Sequence, residues 1–187
     1  MACAEIAVAL LAAGRARRFG SDKLMVSFQD MPLGLQIAHR ACALECGWRF
    51  AICSSDAPIT PYYAALGFAV IANDEPDRGQ AHSLHFAVRA AQTTTASALL
   101  VLLADMPFVT QDHLRAIVAT GGLAASTDGK ATMPPALFPR DMWPALLTAT
   151  GDSGARHLLR DARLIEASAS ELRDIDVVAD LPRPRSV

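Results

Sequence analysis

The chain alternates short apolar runs with longer amphipathic runs. Four short runs have the length and composition of buried strands, and they cover residues 6–11, 49–54, 68–71 and 98–103. Three longer runs have the spacing of amphipathic helices, and they cover residues 33–46, 80–91 and 111–120. Strand–helix alternation of this kind predicts an α/β fold in which helices cover both faces of a mostly parallel central sheet.

Small or acidic residues follow two of the predicted strands at the point where each strand ends. Residues 98–104 show no polar alternation, which predicts a central strand buried on both sides, and Asp105 follows it directly. Gly14 comes just after the strand predicted over residues 6–11. Because ligands of open parallel sheets bind beyond the carboxyl ends of the strands, Gly14 and Asp105 mark the predicted site.

The segment after the first strand has the composition of an anion-binding loop. Small residues come first, and four cations then fall within nine residues: Arg15, Arg17, Arg18 and Lys23. Gly14 and Gly20 free the backbone dihedral angles that such a loop needs. Successive backbone N–H groups in a loop of this kind bind anions, and the cations add full charges, which predicts a polyphosphate ligand. The alternative is a basic surface loop after a core strand.

This loop resembles the signature of a known enzyme family. Leu11 to Leu24 is similar to the pattern L-A-A-G-x-x-x-R-[FM]-G-x-x-K-L of the nucleotidyltransferases with a MobA-like fold. Gly79 to Leu84 is similar to the pattern G-x-x-x-S-L of the molybdenum cofactor cytidylyltransferase branch. The resemblance implies a Rossmann-like three-layer sandwich of the nucleotide-diphospho-sugar transferase type. It also implies that CMP is transferred from CTP to molybdopterin, with release of pyrophosphate.

The resemblance implies roles for residues in both segments. The residues that would bind the nucleotide lie in the first loop and at the start of the helix predicted over residues 80–91: Leu11, Ala12, Ala13, Gly14, Arg15, Arg18, Lys23, Gly79 and Ser83. Arg18 and Lys23 would also be catalytic, because their charges stabilise the α-phosphate as it is attacked. Ser83 is equally well explained as an ordinary helix residue.

Asp105 is the candidate catalytic magnesium ligand. It ends the most apolar run of the chain, where a lone carboxylate is unfavourable unless it pairs with a cation or a metal. Leu103 to Val109 is similar to the family pattern L-A-D-M-P-x-V, in which this aspartate binds Mg²⁺. Helix capping is the alternative role, but Thr110 lies closer to the predicted helix and is the better N-cap.

A second carboxylate would complete the metal site. The segment Asp174-Ile175-Asp176 is similar to the start of the family pattern D-I-D-T-P, which implies Asp176 as a further Mg²⁺ ligand. Val177 and Val178 stand in place of the Thr and Pro of that pattern, so the match is partial. An ordinary half-exposed strand explains the same alternation.

Two further segments bear on the acceptor. Gly151 to Arg156 is similar to the family pattern G-D-x-G-A-R, which implies an acceptor contact for Arg156. Asp152 is also a good N-cap for a helix predicted over residues 152–161. Family members often have G-H-P before an apolar strand, whereas this chain has Met133, Pro134 and Pro135. The identity of the acceptor is therefore open.

Size and charge set the remaining expectations. The 187 residues suit one nucleotidyltransferase domain over residues 1–181, with a nucleotide part over 1–120, an acceptor part over 121–181 and a tail over 182–187. The net charge of −2 gives no reason to expect nucleic acid or a membrane as a partner. The residues before the first apolar run lack the cations of a signal peptide, so we expect a cytoplasmic protein.

The resemblance also implies the cofactor and the partners. The cofactor is Mg²⁺, the substrates are CTP or another NTP together with molybdopterin, and a molybdoenzyme receives the product. Use of GTP, or of another small phosphate acceptor, would keep the same enzyme class. A non-catalytic protein that binds and delivers the molybdenum cofactor is the alternative of a different class.

Overall fold

The computed structural model describes residues 3–13, 23–151, 154–176 and 180. Nine strands lie in these ranges: β1 (Ile6–Leu11), β2 (Ser27–Phe28), β3 (Met31–Pro32), β4 (Trp48–Cys53), β5 (Ala69–Ala72), β6 (Ala98–Leu103), β7 (Ala124–Thr127), β8 (Thr132–Pro139) and β9 (Arg163–Glu166). The tail predicted over residues 182–187 lies outside the described residues.

Five α-helices accompany the strands in the same ranges: α1 (Leu35–Cys42), α2 (Thr60–Ala65), α3 (Gln80–Gln92), α4 (Gln111–Ala119) and α5 (Trp143–Leu146). Short 3-10 turns occur at Cys3–Glu5, Lys23–Met25, Pro76–Arg78, Arg140–Met142 and Arg156–Leu159. None of the helices in the described part of the chain is long and apolar enough to cross a membrane.

Seven strands form one central sheet in the order β5-β4-β1-β6-β8-β7-β9. The first four of these strands are parallel to one another, β8 is antiparallel to both of its neighbours, and β9 is parallel to β7. The sheet is therefore mostly parallel, as predicted. The register pairs Leu11 at the end of β1 with Leu103 at the end of β6. The loops that follow these two strands consequently leave the sheet side by side.

Two apolar layers lie on opposite faces of the sheet, because successive side chains of a strand point to opposite sides. On one face, Leu100 and Leu102 pack in a cluster with Ile37 of α1 and Leu114 of α4. Burying an aliphatic side chain of this size contributes about 1.5–3 kcal/mol to folding. The buried layer on this face fixes α1 and α4 against the sheet.

Alanines are common on the opposite face, among larger side chains. Ala7 and Ala9 of β1 pack in a second cluster with Ala87 of α3 and Trp143 of α5. Alanines on both surfaces let α3 approach β1 closely. Together the two faces give the three layers, helices–sheet–helices, that the alternation of apolar runs predicts.

The structure corrects two predicted helices. The helix predicted over residues 33–46 ends at Cys42, because Glu45 takes a positive φ of 54° and the chain turns there toward β4. The helix predicted over residues 152–161 is a 3-10 turn at Arg156–Leu159, preceded by Gly154 with a φ of +54°. A left-handed residue at each position is incompatible with a continuing right-handed helix.

Candidate active site

A lysine and two carboxylates meet at the edge of the sheet where β1 and β6 end. The Nζ atom of Lys23 donates a hydrogen bond of 2.9 Å to Oδ2 of Asp105 and one of 3.2 Å to Oδ1 of Asp176. Lys23 is buried, Asp105 is half-buried and Asp176 is exposed. The three side chains come from segments that are far apart in the sequence, and the fold brings them together.

Backbone contacts also hold the two aspartates close to each other. Asp105 lies two residues beyond β6, and its carbonyl oxygen accepts a hydrogen bond of 2.9 Å from the N–H of Ile175. The Ile175 side chain is fully buried in the core, and the Asp176 N–H donates to the carboxylate of Asp180. Asp176 is thereby anchored on both sides next to the loop after β6.

The electrostatics of the site favour a cation. Burial alone would lower the pKa of Lys23, but the charges and hydrogen bonds of Asp105 and Asp176 outweigh it and raise that pKa. Desolvation, followed by the charges of Asp176 and Asp105, raises the pKa of the neighbouring Asp174. Among the described residues, one ammonium thus faces several carboxylates, and their local charge balance is negative.

The donor set fits a hard divalent cation. Mg²⁺ prefers oxygen ligands and is usually held by one or two carboxylates together with substrate phosphates. Asp105 and Asp176 are two such carboxylates within reach of a single ammonium group. Among the described residues no cluster of three or more ligand-type side chains is arranged around a metal position. Phosphate oxygens of a substrate would have to supply the remaining ligands.

The first loop begins at this site. Leu11, Ala12 and Ala13 are buried, the Ala12 N–H donates to Ile52 in β4, and the Ala104 N–H donates to Leu11. The chain therefore leaves β1 in register with the residue just before Asp105. Gly14, Arg15, Arg17, Arg18 and Gly20 lie outside the described residues. Of the predicted phosphate-binding cations, Lys23 is the one in the described range.

Gly79 and Ser83 shape the start of α3. Gly79 is the N-cap and has a φ of 85° and a ψ of 175°, a region that is almost restricted to glycine. The hydroxyl of Ser83 is buried and accepts a hydrogen bond of 2.9 Å from Nδ2 of Asn73. The structure gives Ser83 a positioning contact, and direct binding of a nucleotide by its hydroxyl stays a prediction.

An open cleft lies on the α3 face of the sheet, with about 450 Å³ of space including the part open to solvent. Its walls are mostly apolar and include Leu11, Leu84, Val101 and Phe138. Three polar side chains line it as well: Gln80, Thr132 and Arg156. Met133 and Pro134 also form part of its wall, so the predicted acceptor residue Arg156 shares a cleft with the segment that replaces G-H-P.

Comparison with known proteins assigns the family. The model of the MobA-like NTP transferase domain matches residues 8–170 of this chain. The chain belongs to the MobA-like NTP transferase family. As a member of this family it is a nucleotidyltransferase, as the resemblance of the first loop implies.

This MobA-like NTP transferase is similar to proteins from other organisms over nearly its whole length. The purine catabolism protein PucB of Bacillus subtilis (strain 168) is 29% identical, and the match covers 93% of this chain and 90% of PucB. A nucleotidyl transferase from Methanothermobacter thermautotroptrophicus has a TM-score of 0.80 at 20% identity, over 94% of this chain and 93% of its own. Rv0371C of Mycobacterium tuberculosis H37Rv, solved as a manganese complex, has a TM-score of 0.74 at 19% identity. The match covers 94% of this chain and 95% of the Rv0371C chain. At this level of identity the two structures show that the fold is shared, a mostly parallel central sheet with helices on both faces.

Sequence reasoning missed two polar residues of the MobA-like site. Asn73 is almost fully buried and ties the end of β5 to α3, and Gln80 lines the cleft at the first position of α3. Asn73 follows a strand end in the same way as Asp105, so its position in the sequence was an available signal. Gln80 has the appearance of an ordinary helix residue, and no feature of the sequence distinguishes it.

Proposed function

We propose that this MobA-like enzyme transfers CMP from CTP to molybdopterin and releases pyrophosphate. The observation that carries the proposal is the contact of Lys23 with Asp105 and Asp176 where β1 and β6 end. This is the edge at which open parallel sheets bind their ligands. The similarity of Gly79 to Leu84 to the cytidylyltransferase pattern supports CTP as the nucleotide.

Asp105 and Asp176 would hold Mg²⁺. Hard carboxylate oxygens and the negative surplus of the site suit that ion, and the Rv0371C structure with a similar fold contains manganese. When bound, a divalent cation neutralises phosphate charge and orients the triphosphate. The MobA-like fold thus supports a divalent metal, and the choice of Mg²⁺ is part of the proposal.

The residues of the chain would align the two substrates and neutralise charge. A phosphate oxygen of the acceptor attacks the α-phosphorus of CTP, and the bond from that phosphorus to the bridging oxygen breaks as pyrophosphate leaves. The backbone of Ala12, Ala13 and Gly14 would hold the nucleotide, and Lys23 and Arg18 would stabilise the charge on the α-phosphate. The attacking phosphate is already an anion, so the reaction needs no general base.

The cleft on the α3 face would receive the acceptor. Arg156 is exposed at this cleft, where its guanidinium group would attract an anionic substrate, and Gln80 and Thr132 offer hydrogen bonds. The Bacillus subtilis relative is named for purine catabolism. We propose a related setting for this chain, in which a molybdoenzyme receives the product.

One observation favours a second candidate. Met133 and Pro134 line the cleft where the resemblance would place Gly and His, so the acceptor contacts differ from the family pattern. A nucleotidyl transfer to another small phosphate acceptor is therefore the alternative within the same enzyme class.

Pyrophosphate release from the purified chain tests both candidates. We expect release with CTP, Mg²⁺ and molybdopterin together, and much less when GTP replaces CTP. A preference for GTP would instead indicate a guanylyltransferase. Release that requires a different phosphate acceptor would support the second candidate. No release with any NTP and acceptor would indicate a protein that binds and delivers the cofactor.

A further inference from the structure

We propose that Lys23 is an exchangeable counter-ion: in the nucleotide-free protein its ammonium group occupies the carboxylates of Asp105 and Asp176, and a divalent cation must displace it. Binding of nucleotide phosphates would draw the ammonium group away and free both carboxylates. The divalent cation would then bind weakly to the free protein and tightly once the nucleotide is present. This inference rests on the proposed function, because it takes the two aspartates as metal ligands.

The contacts of Lys23 are those of a resident cation. Its Nζ lies 2.9 Å from Asp105 Oδ2 and 3.2 Å from Asp176 Oδ1, so two of its three N–H groups are used on the same pair of carboxylates. A metal ion on these carboxylates would lie very near the ammonium group, and two cations so close repel each other strongly. The site therefore cannot hold both cations in the present arrangement.

Lys23 cannot simply move its charge into water. Its side chain is only 10% exposed, and the next residue, Leu24, is buried in the core and has a carbonyl that accepts from the Gly34 N–H. The ammonium group is thus limited to short movements within the site. Displacement without another anion nearby is unfavourable, so the metal binds only weakly to the free protein. The phosphates of a nucleotide bound at the end of β1 are the anions that the proposed function supplies.

The two carboxylates stay in place when Lys23 leaves. The hydrogen bond from Ile175 to the Asp105 carbonyl and the hydrogen bond from the Asp176 N–H to Asp180 are both independent of Lys23. The aspartates are therefore preorganised for the metal. Because coupling between two ligands is reciprocal, the same exchange makes the metal strengthen nucleotide binding.

Manganese binding in the absence of nucleotide tests the exchange. We expect Lys23→Met to bind Mn²⁺ roughly tenfold more tightly than the wild type, a coupling of ordinary size for linked sites. Adding a non-hydrolysable CTP analogue should then strengthen Mn²⁺ binding less in Lys23→Met than in the wild type. Lys130→Met is the matched control, since Lys130 is the other lysine of the chain and is exposed. Unchanged or weaker Mn²⁺ binding by Lys23→Met would overturn the proposal.

A second measurement needs no variant at Lys23. Brief acetylation of the wild-type protein, read out by peptide mass spectrometry, reports how accessible each lysine amine is. We expect Mg²⁺ at a concentration that saturates its weak binding to the nucleotide-free protein to increase labelling of Lys23 several-fold and to leave Lys130 unchanged. Equal Lys23 labelling with and without bound metal would contradict displacement, even in a protein that releases pyrophosphate. Conversely, if Mg²⁺ increases Lys23 labelling but the protein releases no pyrophosphate with any NTP and acceptor, the exchange of Lys23 for the metal stands and the proposed function is wrong.

Discussion

At the scale of single residues, the site depends on charges placed where strands end. Asp105 follows the fully buried part of β6, and its carboxylate is stabilised there by the ammonium group of Lys23. The predicted alternative of a helix cap is excluded for Asp105, because Thr110 Oγ1 accepts from the His113 N–H and caps α4. The Asp105 carboxylate is therefore not the cap of α4 and contacts the Lys23 ammonium group instead.

Replacing Asp105 tests its proposed role in catalysis. Asp105→Asn keeps the shape of the side chain but removes the charge that would hold the cation, so we expect kcat to fall at least about a hundredfold. The thermal unfolding midpoint should stay close to that of the wild type. Asp112→Asn, on the exposed surface of α4, is the control and should leave kcat unchanged. Retained activity in Asp105→Asn would refute the assignment.

Asn73 is the second residue whose effect can be predicted. Its side chain donates to the Ser83 hydroxyl and accepts from the Glu75 N–H, and both bonds hold the segment that leads into α3. Asn73→Ala leaves buried polar groups without partners, so we expect it to lower the free energy of unfolding by about 1–3 kcal/mol. Denaturant titration of Asn73→Ala, Ser83→Ala and the double variant checks this, and we expect less than additive losses. Strict additivity would mean that the two side chains act independently.

Part of the site could be predicted from the sequence, because some site residues can be recognised by their charge and by their position in the chain. Lys23, Asp105 and Asp176 stand out as charges next to apolar runs or family patterns, and the structure brings them into contact. Asn73 and Gln80 depend on where β5 and α3 meet the cleft, which is a property of the three-dimensional packing. Position along the chain does not reveal such contacts.

At the scale of elements, a continuous apolar run and a helical period each predicted an element well, whereas prolines and short length concealed others. The run over residues 98–103 is β6 with the predicted bounds, and α3 begins at the predicted residue. By contrast, β8 (Thr132–Pro139) contains three prolines and pairs antiparallel with its neighbours, so no apolar alternation marks it. The six-residue helix α2 is too short to show a helical period.

The start of α3 depends on the backbone conformation of its N-cap, Gly79. Its backbone is in a region that other residues avoid, so Gly79→Ala should lower the free energy of unfolding by about 1–3 kcal/mol and weaken nucleotide binding. Calorimetric titration with CTP and thermal denaturation measure the two effects. Gly122→Ala is the control, since a Cβ there meets nothing within 4 Å and the φ is not positive. Normal stability and CTP affinity of Gly79→Ala would show that this backbone geometry is unimportant.

At the scale of the whole molecule, buried polar bridges connect the helical layers to the sheet. The Ser126 hydroxyl donates to the Pro135 carbonyl, so Nε2 of His113 is the donor in its 2.8 Å contact with Ser126. This chain of hydrogen bonds joins α4 to β7 and to β8. Nε2 carries a proton in either protonation state, so the bond itself tolerates both, but burial favours the neutral ring and lowers the pKa of His113 despite the opposing charge of Glu171.

The stability of the whole domain should therefore depend on the protonation of His113. The unfolded chain takes up a proton at His113 as the pH falls below about 6.5, whereas the folded chain resists it. The free energy of unfolding should decrease from pH 7.5 to pH 5.5, and less steeply in His113→Gln. Urea denaturation across this range measures the slopes, with His39→Gln on the exposed surface of α1 as the control. Equal slopes in wild type and His113→Gln would exclude this contribution.

The central claim for the whole molecule is the transfer of CMP to molybdopterin. The most direct measurement follows the label of CTP carrying radioactive α-phosphorus, incubated with the purified chain, Mg²⁺ and molybdopterin. We predict that the label moves into a molybdopterin cytosine dinucleotide, in amounts equal to the pyrophosphate released. Label that stays in CTP or appears only in free CMP, with molybdopterin present, would contradict the account.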